Sequence, residues 1–164
     1  MSKTRLIVLT LIAVVLLWVV YSCYLTPEAQ VKRALVKAKK AVENEDYAAI
    51  EDFFVADFAD QFGFDKATWM GLIQSSLAQW KDVDINLLQI EIEVDGKQAQ
   101  VHFHARGEAT RASSLTGDQF PDRQSFGYKN IRFWMIKEDG RWRLKQWSNI
   151  NSNLWQVPMP PAGF

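Results

Sequence analysis

Residues 88–105 read LQIEIEVDGKQAQVHFHA, and their two-residue period decides the fold class. Leu88, Ile90, Ile92 and Val94 alternate with Gln89, Glu91 and Glu93, the pattern of a strand with one buried face. Asp95-Gly96 tolerates φ > 0 and reads as the two-residue turn of a hairpin. With that loop, Ile92 faces Ala99, Ile90 faces Val101 and Leu88 faces Phe103, so apolar meets apolar at each rung. The same register sets Gln89 against His102 and Glu91 against Gln100 on the opposite surface.

A second hairpin turns at Asp139-Gly140. It pairs Met135 with Leu144 and Phe133 with Gln146 on one face, and Trp134 with Lys145 and Arg132 with Trp147 on the other. Between the hairpins, Ala112 to Gly127 is polar and contains Gly117 and Pro121, so it reads as a long loop or a broken strand end. Loops of that length often border a binding site.

Upstream of the strands the period is helical. Thr26-Pro27-Glu28 combines a capping hydroxyl, a proline at the first helical position and an acid near the positive end of the dipole. Val31, Ala34, Leu35, Ala38, Ala41 and Val42 then form one apolar stripe that ends near Asn44. Asp46 caps a short helix through Ile50, Phe53 and Phe54. Asp65 caps a third, which passes Trp69, Met70, Ile73 and Leu77 toward Trp80. The expected fold class is α+β, with three helices packed on a curved antiparallel sheet as a cone-like roll over residues 26–150.

Residues 1–25 form a separate unit. Leu6 to Leu25 reads LIVLTLIAVVLLWVVYSCYL, with no charge, Pro or Gly, and about 20 helical residues at 1.5 Å each match a hydrocarbon core of ~30 Å. This predicts a single transmembrane signal-anchor helix, with Trp18, Tyr21 and Tyr24 gathered toward one water interface. Lys3 and Arg5 favour a cytoplasmic N-terminus, which places the domain on the extracytoplasmic (periplasmic) side of the cytoplasmic membrane. Lys32, Arg33, Lys37, Lys39 and Lys40 pull the other way but sit on a folded helix. That basic helix reads either as a solvated face or as a contact for anionic headgroups. Cys23 is the only cysteine and reads as an apolar helix residue, or alternatively as a lipoprotein attachment point. At the other end, the tail 151–164 carries Pro158, Pro160 and Pro161 and favours an extended strap.

Nineteen basic and nineteen acidic residues cancel, and without Lys3 and Arg5 the rest of the chain holds seventeen against nineteen. No field exists for gripping phosphate backbones, so nucleic acid is excluded as a partner. With Cys23 in the apolar segment, the domain has no thiolate for catalysis or metal binding. His102 and His104 share a strand face with Glu108, which suggests a metal site. They are the only histidines, however, and Arg106 stands between His104 and Glu108, where a cation would have to sit. No metal or cofactor is expected, and the pair reads instead as part of a half-polar outer face with Gln100, Trp134 and Trp147.

Helices first, then long antiparallel strands closing with Asp139-Gly140-Arg141-Trp142-Arg143-Leu144, resembles the nuclear transport factor 2-like superfamily, which includes SnoaL-like and ketosteroid-isomerase-like domains. The helix from Pro27 and the segment Val55-Ala56-Asp57-Phe58 before Gly63 carry the likeness too, and it covers roughly Pro27 to Ile150. Within the superfamily the chain is similar to small bacterial envelope proteins with such a domain behind a membrane segment. The resemblance implies a cone whose enzymes aim ionisable groups inward, and sheets that pack back to back in dimers. Fold likeness carries no function by itself.

The expected cavity residues are Tyr47, Trp69, Phe103, Trp142, Gln146 and Ser148. Only Gln146, Ser148 and Tyr47 supply polar atoms there, and they form no acid–base pair. Asp57, Asp60 and Asp65 read as helix-end or solvated groups. The expected interface residues are His102, His104, Trp134 and Trp147, with Ile136, Arg132, Arg143 and Lys145 around them, suited to a homodimer or an envelope protein partner. The sequence therefore points to a membrane-tethered, non-catalytic domain that binds a small apolar ligand or a protein. The alternative is an isomerase, dehydratase or hydrolase-like enzyme using the cone.

Overall fold

A computed structural model describes residues 11–15, 18, 26–111 and 123–149. The helices fall where their caps predict: α1 spans Pro27–Glu43, α2 Tyr47–Phe53 and α3 Lys66–Leu77. Thr26 Oγ1 accepts from the Ala29 N–H at 3.3 Å, Asp46 Oδ1 from Ala49 at 3.0 Å and Asp65 Oδ1 from Thr68 at 2.8 Å. Each satisfies one of the donors that a helix N-terminus leaves open.

Four strands follow, β1 Trp80–Asp95, β2 Gln98–Arg111, β3 Arg123–Glu138 and β4 Arg141–Asn149, in one antiparallel sheet of order β1-β2-β3-β4. Residues 123–127, within the stretch read as a long loop or a broken strand end, belong to β3; residues 112–122 lie outside the described residues. The helices pack on one face of the sheet, where Val31, Leu35, Ile50, Phe54, Met70, Val101, Phe103, Ile131, Met135 and Leu144 form the core.

The first hairpin is displaced by two residues from the expected register. Its turn is Gly96-Lys97, so Asp95 pairs with Gln98, Ile92 with Val101 and Glu91 with His102. A shift of two preserves the faces. The second departure reverses them: at Gln89, where φ is 51°, β1 bulges between Leu88 and Glu91, and from there Leu88 pairs with His104 and Leu87 with Ala105. Leu88, expected inside opposite Phe103, is 47% exposed, and Ile85 and Leu87 take the inward positions. Ile90 packs partly against the core at the bulge. Asp82, also at positive φ, accompanies a further shift between Lys81 and Asp84.

Two more bulges repeat the device. In β3, Asn130 at φ 56° marks a shift opposite His104, and in β4 a shift at Lys145 follows the expected Met135–Leu144 pair. Beyond Lys145 the register is Trp134 with Gln146, Phe133 with Trp147 and Arg132 with Ser148. The expected pairs Phe133–Gln146, Trp134–Lys145 and Arg132–Trp147 are replaced, because one extra residue turns every later side chain to the other face. Bulges in three of the four strands bend the sheet around the helices and produce the cone.

The free side of β4 is covered by the segment after α2. Phe54 makes a parallel bridge to Leu144, the Val55 N–H donates to the Leu144 carbonyl at 3.0 Å, and Ala59 donates to Lys145 at 3.3 Å. Asp52 on α2 accepts from Arg141 at 2.7 Å and Arg143 at 3.1 Å, and Asp57 pairs with Lys145.

Most of the apolar segment 6–25, Cys23 included, and the tail 151–164 lie outside the described residues. Within that segment, Leu11 to Val15 and Trp18 are helical, and Leu11, Ile12, Val14, Val15 and Trp18 are at least half exposed. No helix among the described residues is long and apolar enough to cross a membrane.

Candidate functional site

Between the helices and the bent sheet lies an open cavity of about 270 Å³. α1 contributes Leu35, Ala38, Lys39 and Val42, and α2 contributes Ile50 and Phe53. Trp69 and Ile73 come from α3, and the sheet adds Ile85, Leu87, Phe103, Ala105 and Phe133 among others. Among the described residues Lys39 is the single ionisable side chain in this lining, and its ammonium is held 3.0 Å from Glu43 Oε1. The same carboxylate oxygen accepts the Ile85 N–H at 2.8 Å, tying the end of α1 to β1.

Of the residues expected in the cavity, Trp69 and Phe103 line it. Tyr47 packs on the core from the start of α2 but does not reach the cavity. Trp142 is buried at the hairpin end of the sheet, paired with Lys137, whose ammonium lies 5.8 Å from the ring centroid. Gln146 and Ser148 are corrected to the outer face by the bulge at Lys145. Gln146 is exposed beside Trp134, and Ser148 is opposite Arg132. Trp147 is corrected in the opposite sense. It lines the cavity and meets Trp69 edge to face, with centroids 4.9 Å apart and rings at 82°.

Asp60 is buried, not solvated, at 5% exposure. Its Oδ1 accepts the N–H groups of Phe62 and Phe64, both at 2.8 Å, and its Oδ2 accepts the Trp69 indole N–H at 3.2 Å. It thus fixes the loop before α3 and the orientation of one cavity wall. Asp57 is exposed, and its hydrogen bond to Lys145 holds its carboxyl below the usual carboxylate range. Asp65 is held low by the Thr68 hydrogen bonds of the α3 cap.

On the outer face, His102 lies between Glu91 and Arg132, and His104 lies beside Leu88. Gln89, Ile90, Glu91, His102, His104 and Asn130 border a depression of about 430 Å³ between the two bulges. Trp134 sits between Gln100 and Gln146, and the Arg132 guanidinium lies 5.6 Å from its ring centroid. Among the described residues no three His, Cys, Asp or Glu side chains cluster closely enough to hold a metal.

At the far end of the inner face, Phe126 and Tyr128 lie 6.1 Å apart, and burial raises the Tyr128 phenol above its ordinary value. Gly107 makes room for Phe126, since a Cβ there would lie 2.3 Å from the ring.

Ile85 and Leu87, missed at the sequence level, carried a signal. Leu87-Leu88 places two apolar residues side by side in an otherwise alternating strand, which marks a change of phase.

No family model matches the sequence, and no curated protein matches it. Solved structures do match its fold. A Kribbella flavida protein, Kfla4162, aligns over 74% of this chain and 88% of its own, with TM-score 0.65 and 13% identity. A candidate scytalone dehydratase from Novosphingobium aromaticivorans aligns over 77% and 84%, with TM-score 0.62 and 14% identity. The Bd1075 protein of Bdellovibrio bacteriovorus aligns over 73% of this chain, with TM-score 0.57 and 16% identity; this chain spans 39% of that protein's length. At such identities the likeness is one of fold alone, for the α+β domain.

Proposed function

We propose that this chain is a membrane-tethered binding domain whose cone takes a small apolar molecule and does no chemistry on it. The observation that carries the reading is the lining. Sixteen of the seventeen described residues around the cavity are aliphatic or aromatic, and the seventeenth, Lys39, is engaged by Glu43. General acid–base catalysis needs a proton-transfer group within hydrogen-bond reach of the substrate, and among the described residues this wall offers no carboxylate, imidazole, thiol or hydroxyl. An apolar cavity of roughly 150 Å³ holds benzene, so one of about 270 Å³ suits a fused-ring compound or a short acyl chain. The tether is supported by the uncharged run of residues 6–25 and by the exposed apolar residues of its helical part.

The test uses the full chain in lipid nanodiscs with methyl-labelled Ala, Ile, Leu and Val, titrated with naphthalene. Saturable shifts at Ala38, Ile73, Leu87 and Ala105, absent in Ala105→Trp and weakened in the milder Ala38→Leu, are the expected result. Absence of any saturable shift at these methyls would remove the binding reading. Chemical conversion of a bound compound, detected by mass spectrometry, would favour the enzyme alternative.

A further inference from the structure

α1 has two faces with different tasks. Val31, Leu35 and Ala41 are buried, and Ala38 and Val42 line the cavity, while Lys32, Val36, Lys37 and Lys40 are exposed on the other side. At 3.6 residues per turn these four span an arc of about 140° with Val36 inside it. Glu28 lies in the first turn outside the arc; Glu43, in the last turn, falls within its angular range, but its carboxylate is taken up by the Ile85 N–H and Lys39. Among the described residues, Lys32, Lys37 and Lys40 form no ion pair.

The charge is uneven along the chain. α1 holds five basic and two acidic residues, a net of +3, while the rest of the chain after Arg5 holds twelve and seventeen, a net of −5. The helix also follows the apolar segment directly. Thr26 is extended, at φ −65° and ψ 144°, so α1 starts at Pro27. Its 17 residues reach about 25 Å, within which all three lysines fall.

We propose that this face of α1 lies along an anionic bilayer, with Lys32, Lys37 and Lys40 on lipid phosphates and Val36 at the boundary of the acyl region. The inference rests on the membrane tether proposed above. Lysines near such a surface are drawn to it, and the attraction is screened by salt. Because the other face of the helix lines the cavity, docking holds the cavity about one helix diameter, ~10 Å, above the lipid.

The experiment compares lysine acetylation rates in the full chain, inserted in nanodiscs of phosphatidylcholine with and without phosphatidylglycerol. The expected result is several-fold protection of Lys32, Lys37 and Lys40 in the phosphatidylglycerol discs, reversed by high salt, with Lys81 and Lys129 unchanged. Equal reactivity in both discs, with the chain co-purifying with the disc, overturns the docking and leaves the tether standing. A chain that does not enter either disc overturns the tether and the docking together. Protection in native membranes but in neither disc points to an acidic protein partner and also overturns the proposal. In Lys32→Glu/Lys37→Glu/Lys40→Glu, whose sites are exposed, a cysteine-directed spin label at Val36→Cys in a Cys23→Ser background loses its lipid-dependent immobilisation.

Discussion

Trp69 donates its indole N–H to the buried carboxylate of Asp60 at 3.2 Å, and this bond aims the ring across the cavity at Trp147. The other carboxylate oxygen is occupied by the Phe62 and Phe64 amides. Asp60→Ala therefore strands three donors and is expected to cost about 2 to 3 kcal/mol in chemical denaturation. Asp60→Asn keeps one oxygen for the loop but turns an amide toward the indole. It should be milder in stability yet alter the near-ultraviolet dichroism of the tryptophans.

Exchange of faces at Lys145 gives opposite expectations for adjacent residues. Trp147→Ala opens the cavity wall and should cost about 2 to 3 kcal/mol, whereas Gln146→Ala, on the exposed face, should fall within about 0.5 kcal/mol of the parent. On β1 the same contrast holds, with Leu87→Asp disruptive and Leu88→Asp tolerated. Thermal unfolding of the four variants reads both bulges at once.

Gly107→Ala places a methyl 2.3 Å from the Phe126 ring and 3.0 Å from the Asp84 carbonyl. Overpacking of this kind costs about 1 to 3 kcal/mol. In a Phe126→Ala background the penalty should shrink but not vanish, because the backbone contact remains. A double-mutant cycle measures the difference.

Acid should weaken the fold through Asp57 and Asp65. The hydrogen bond from Lys145 lowers the first and those from Thr68 lower the second, both from an ordinary value of 3.8. A depressed folded-state pKa means that the contribution is present above 3.8 and is lost as pH falls through the lower folded value. Asp57→Asn/Asp65→Asn should flatten the acid limb of a stability-against-pH curve, and salt should weaken the Asp57 share.

At positive φ, Gln89 is strained where Asn130 is better tolerated. Gln89→Gly should be neutral to stabilising by about 0.5 kcal/mol after its unfolded-state entropy is counted. Gln89→Val should destabilise by about 1 kcal/mol. Denaturant midpoints decide the sign.

Helix starts were legible to the residue, because Thr26, Asp46 and Asp65 are local signals whose partners lie three residues away. Strand existence and the Met135–Leu144 rung were legible from alternation. What escaped was phase. The inward series runs Ile85, Leu87 and then Ile90; Phe126, Tyr128 and then Ile131; Trp142, Leu144 and then Trp147. In each the step of two becomes a step of three, and each such gap coincides with a bulge. Extrapolating a strict period through Lys145 sent Gln146 and Ser148 inward and Trp147 outward. Asp60 escaped for another reason. Its three partners include Trp69, nine positions away in sequence, and only the folded loop brings the indole to it.

The strip after α2 runs along β4 at Leu144 and Lys145, and among the described residues the opposite edge of the sheet is β1. Asp82 and Gln89 cut that strand into straight lengths of about six residues. A short, crooked rim is a poor template for another chain. The kinks that shape the cone also guard the molecule against stacking into aggregates.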